Sequence, residues 1–77
     1  MLADGTYDGI VVDAGTDPAP DAPSDAVRFE IAILAGPHKG EVVAVRASGL
    51  AGDPIDRLGD PVTLTVSDGR PRFTFDL

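Results

Sequence analysis

The chain contains no cysteine, a single lysine, a single histidine and a single tyrosine, and no basic residue precedes Arg28. The absence of Cys excludes a disulfide framework, a thiolate metal site and a cysteine nucleophile, and points to a reducing, cytoplasmic setting. The missing positive charge leaves Asp4, Asp8, Asp13, Asp17, Asp21 and Asp25 unopposed in the N-terminal third, within a formal net charge of −7. Such a field repels nucleic-acid phosphates and anionic lipid headgroups. Long apolar runs are also lacking. Nothing approaches the ~18 residues of a membrane span, and Met1-Leu2-Ala3-Asp4 has neither the positive segment nor the apolar core of a signal peptide. No membrane association is expected.

With 77 residues, the chain is read as one domain over 1–77, near the size at which a single apolar core is only just sufficient. Its wealth of Ala, Gly, Pro, Val and Asp suggests a GC-rich bacterial genome. Val27–Ala47 is the stretch where strand pattern, turn chemistry and basic residues coincide. Val27, Phe29, Ile31 and Ile33 alternate with Arg28, Glu30 and Ala32, the period of a half-buried strand. Leu34 breaks that alternation. Glu41–Arg46 is an almost unbroken apolar run, which predicts a strand covered on both sides or central in a curved sheet. Gly36-Pro37-His38-Lys39-Gly40 joins the two as a hairpin connection.

Before this hairpin, Gly5–Asp13 reads as a first strand, with Gly9 marking a bend or a close backbone approach. Asp13–Ala26 reads as an exposed, mobile acidic loop, because Pro18, Pro20 and Pro23 oppose both helix and ladder. After the hairpin, Asp53-Pro54 opens the one plausible short helix and Gly59 ends it. Pro61–Val66 and Pro71–Leu77 alternate as two further strands around Asp68-Gly69, a type I′ turn signal. Phe73, Phe75 and Leu77 fall on the inward face. Five short strands with a helix between the third and fourth predict an all-β fold, a small five-stranded OB-like barrel. An SH3-like barrel or an open sandwich is the structural alternative.

Asp4-Gly5-Thr6-Tyr7-Asp8, Val11-Val12-Asp13, Arg28-Phe29-Glu30, Gly36-Pro37-His38-Lys39-Gly40-Glu41 and Leu58-Gly59-Asp60-Pro61 together resemble small actinobacterial β-barrel proteins of about this length. The resemblance spans nearly the whole chain and implies an OB-like barrel, without implying an activity. The Gly-Tyr start and the Phe29-Glu30-Ile31…Gly36-Pro37-x-Lys39-Gly40 hairpin are more weakly similar to phage single-strand-DNA-binding barrels. The hairpin alone is similar to barrel domains of some membrane-associated proteins. The chain departs from the phage pattern in its acidity and its lack of outward aromatics.

Few residues suggest chemistry. His38 titrates near neutrality on a loop, yet no second His, Cys or serine-nucleophile motif accompanies it. Asp13, Asp17, Asp21 and Asp25 are spaced by four with prolines between, unlike a calcium loop, whose ligands alternate and close on a bidentate carboxylate. Gly36-x-x-x-Gly40-Glu41 lacks the Lys-Ser/Thr of a phosphate loop and precedes a strand. Neither a metal, a cofactor nor catalysis is expected. Two functions remain. In the first, a non-catalytic module engages a protein partner through Leu34, Pro37, His38 and Lys39, joined by Leu50 and Ile55 unless these plug the barrel end. In the second, the barrel binds single-stranded nucleic acid through Tyr7, Arg28, Arg46, Arg70 and Arg72. The net charge disfavours the second. A last strand running to Leu77 leaves a sheet edge uncovered, so a homo-oligomer is a further expectation.

Overall fold

Alternating burial writes the strands directly into the chain. The computed structural model describes residues 2–49 and 52–76. Its strands are β1 (Gly5–Thr16), β2 (Val27–Ile33), β3 (Val42–Ala47), β4 (Pro61–Ser67) and β5 (Arg70–Phe75), with a 3₁₀ helix at Pro54–Arg57 between β3 and β4. The sheet order is β3-β2-β1-β4-β5, and every neighbouring pair is antiparallel. The two edge strands, β3 and β5, therefore run parallel to each other, and they curl to within 8 Å of one another in Cα distance. Among the described residues no backbone hydrogen bond joins them. The fold is an all-β, OB-like half-barrel with one open seam.

β1 is the strand about which the sheet coils. Its first half pairs with β4 and its second with β2; only Gly9 and Ile10 have partners on both sides. Beyond them the register slips between Val11 and Asp13, a β-bulge that bends the strand. Gly9 sits at the crossing because nothing larger fits: a Cβ there would lie 2.5 Å from Ile31 Cγ2 and 3.2 Å from the Ala32 carbonyl oxygen. Phe29, Ile31, Ile33, Val11, Val62 and Leu64 form the fully buried centre. Phe29 meets Phe73 and Phe75 edge to face, at 5.4 and 6.0 Å between ring centroids, the geometry aromatic quadrupoles prefer.

Several details differ from the sequence expectation. β1 continues to Thr16, since Ala14 is buried and pairs with Phe29. The Pro-rich connector is correspondingly shorter, closed by Asp17 N–H donating to the Ala26 carbonyl at 3.1 Å. β3 is an edge, not a central strand: only Val45 in it is buried, and Val42 is 56% exposed. Its apolar run reflects β propensity without two-sided cover. Phe73 and Phe75 do face inward but are half-buried, because the seam beside them is open. Leu2, ahead of the first strand, joins the core. Asp4 ties that N-terminal segment down by accepting N–H bonds from Asp68 and Gly69 at 3.0 and 3.2 Å. Asp68 has φ 53° and Gly69 φ 74°, as the type I′ turn requires. The 3₁₀ helix buries no residue and leaves Ile55 52% exposed, so Ile55 does not plug the barrel. Leu50 and Leu77 lie outside the described residues.

Candidate interaction site

The β2–β3 hairpin is locally braced. Ile33 N–H donates to the Glu41 carbonyl and Gly40 N–H to the Ile33 carbonyl, both at 2.9 Å. With Gly40 at φ 91°, this is a bulge whose first residue needs the left-handed region, which glycine adopts at no steric cost. Lys39 N–H bonds to the Gly36 carbonyl at 3.1 Å and Glu41 N–H to the His38 carbonyl at 3.0 Å. His38 is half-buried: its Nδ1 contacts the Glu41 carboxylate, and its ring stands edge-on to Tyr7 at 5.9 Å. Tyr7 in turn donates its hydroxyl to the Ala3 carbonyl. The tip thus leans on β1, while Pro37 and Lys39 stay exposed. Leu34 N–H donates to the Asp8 carbonyl at 2.9 Å, and its side chain is 46% exposed.

The ladder phase decides what the adjoining edge offers. The Ile33–Glu41 bond makes Ile31–Val43 and Phe29–Val45 the bonded pairs, by antiparallel alternation. Val42, Ala44 and Arg46 accordingly turn their N–H and C=O away from β2, toward the seam. On β5, Asp76 N–H donates to the Pro61 carbonyl at 2.9 Å, which makes Thr63–Thr74 and Thr65–Arg72 the bonded pairs. Phe73 and Phe75 then point their backbone groups at the seam. Pro71, also on that edge, has no N–H to offer. Two cavities of about 290 and 280 Å3 lie along the seam. The first is bounded by Glu41, Val42, Gly69 and Pro71, the second by Val45, Arg46, Arg72 and Phe75.

Four of the five arginines fall into two groups, and the fifth, Arg57, ends the 3₁₀ helix. Arg28 and Arg46 are cross-strand neighbours on β2–β3, but each meets acid. Arg28 Nη2 lies 3.7 Å from Glu30, and Arg46 bonds Asp17 through Nε and lies 3.6 Å from Asp21 through Nη2. Arg70 and Arg72 lie on β4–β5 opposite Ser67 and Thr65. Between the two groups, Arg46 and Arg72 line the same seam cavity. Tyr7 is half-buried against the hairpin, apart from both groups. Among the described residues no cluster of three His, Cys, Asp or Glu is arranged to hold a metal ion, and no helix is long and apolar enough to cross a membrane.

Asp17 clamps the connector to β3. Its side chain is 8% exposed. The Ala19 N–H at 2.9 Å and the Arg46 guanidinium favour the carboxylate and hold its pKa below the ordinary value, against a smaller opposing effect of burial. The same contact raises Arg46. A depressed carboxyl stabilises the fold above its unfolded pKa, and that contribution is lost as pH falls through the folded value. Thermal unfolding of the wild type is therefore expected to lose stability on acidification below about pH 4, and Asp17→Asn to show a shallower loss over the same range. Parallel profiles for the two proteins would contradict the clamp.

The edge residues Val42 and Ala44 escaped the sequence reading, and Pro71, which as a proline within a sheet marks an edge strand, signals β5 and not β3. No family model, curated protein or solved structure matches this chain.

Proposed function

We propose that the protein is a non-catalytic interaction module that engages a protein partner through the 34–40 hairpin and the edge of β3 beside it. The observation that carries this reading is the pairing of exposed apolar side chains, Leu34 and Val42, with a connection fixed by its own bonds. A preformed surface loses little conformational freedom on binding, so more of the contact energy appears as affinity. Among the described residues no polar or charged residue is buried as a whole, and the carboxyl of Asp17, 8% exposed, is met by an arginine, whereas acid–base work needs two carboxylates whose environments push their pKa values apart. With a net charge of −7, a cationic partner is steered toward the module at a rate that falls as salt rises.

The outer face of β2–β3 is less suited to single-stranded nucleic acid. Beyond Arg28 and Arg46, already met by acids, it presents Glu30, Ala32, Val42 and Ala44, with no aromatic to stack a base. The test is a capture experiment from source cells across a salt series, with the wild type, Leu34→Asp and Val12→Asp, the last changing an exposed apolar residue on β1. A stoichiometric protein partner is expected on the wild type and on Val12→Asp, and not on Leu34→Asp. Nucleic acid retained at low salt without any protein would overturn the reading.

A further inference from the structure

We infer that the open edge of β3 accepts an extended peptide segment as an added antiparallel strand, and that the segment is acidic at its N-terminal end and basic at its C-terminal end. The inference rests on the interaction-module reading and adds the partner's chemistry. Among the described residues, Val42, Ala44 and Arg46 present N–H and C=O groups without a backbone partner at alternate positions, the arrangement that strand addition uses. Natural edges are usually blunted by lysine, proline or a bulge. Within Val42–Ala47, β3 has none of these, whereas β5 carries Pro71.

The seam is polarised along its length. At the start of β3 stand Glu41 and the β4–β5 turn, where Asp68 lies and Asp4 is bound. At the other end stands Arg72, which makes no ion pair among the described residues, beside Arg46, whose guanidinium Asp17 and Asp21 already meet. A strand antiparallel to β3 enters with its N-terminal side at Arg46 and leaves at Glu41. Its first residue lies opposite Arg46, its third opposite Ala44, its fifth opposite Val42 and its sixth opposite Glu41. Residues directly opposite share a face, so the second and fourth turn inward toward Phe73 and Phe75. The favoured pattern is Asp/Glu, apolar, any, apolar, any, Lys/Arg. β3 and β5 approach within 8 Å, less than the ~9.6 Å of two strand spacings. Seating the segment thus parts the seam, which no backbone bond among the described residues holds shut.

A display library of random octapeptides, selected on the wild-type chain, tests this. Enrichment of the stated pattern is expected, with binding about tenfold or more weaker on Ala44→Pro. That substitution removes an N–H that β2 does not use, and circular dichroism with a thermal melt verifies its fold. Arg72→Glu provides a second readout: the preference at the first position moves from acidic toward basic. No enrichment on the wild type, or enriched peptides without charge polarity, would overturn the inference. So would peptides that bind Ala44→Pro and wild type equally. If Leu34→Asp abolishes binding and Ala44→Pro does not, the hairpin reading stands and the edge inference falls. A wild-type dimer, lost in Ala44→Pro on analytical ultracentrifugation, would mean that a second copy fills the edge, and would equally overturn it.

Discussion

Phe29→Ala is expected to cost about 3–5 kcal/mol of folding stability, the largest effect of any single substitution considered. Phe29 is fully buried at 0% exposure and supports both inward phenylalanines of β5. Removing its ring opens a cavity beneath the seam, where β5 has no second strand to hold it. A domain with 77 residues holds on the order of 4–12 kcal/mol in total at ~0.05–0.15 kcal/mol per residue, so the variant should be partly unfolded at ambient temperature. Urea denaturation checks this through the transition midpoint. A change below about 1 kcal/mol would mean that β5 does not depend on Phe29.

The second large effect runs the opposite way, through too much volume instead of too little. Gly9→Ala should destabilise by about 1–3 kcal/mol, or roughly 4–8 °C of melting temperature per kcal/mol in a domain of this size. The added Cβ would meet Ile31 Cγ2 at 2.5 Å, with Val62 Cγ2 at 3.4 Å behind it. Both belong to fully buried β-branched side chains, which have little rotamer freedom with which to yield. Gly15 lies later in the same strand, and a Cβ there meets nothing within 4 Å, so Gly15→Ala supplies the control. Comparable melting temperatures for the two variants would contradict the coiled crossing at Gly9.

These two residues also show how far the sequence could be read. Phe29 was legible as core, because it stands in a run of strict alternation that only a half-buried strand explains. Gly9 was legible as a point of close approach, although not which side chains approach it. The five strands, the 3₁₀ helix and the type I′ turn follow from local pattern and turn chemistry. Features set by distant partners do not. Nothing near Asp17 announces Arg46, and nothing near Asp4 announces the turn at Asp68. Leu2 enters the core through tertiary contact alone. The apolar run of β3 cannot by itself distinguish an edge from a centre, since β-branched residues suit both. Consequently the hairpin residues could be named in advance, whereas the edge beside them became visible only through ladder phase and sheet order.

The open edge joins the fold to the proposed function, and amide hydrogen exchange followed by NMR measures it directly. The account predicts fast exchange at Val42, Ala44 and Arg46, alternating with slow exchange at Val43 and Val45, whose N–H groups pair with β2. Uniform protection along Val42–Ala47 would mean that β3 is already paired on both sides, leaving no edge for a partner strand and contradicting the account.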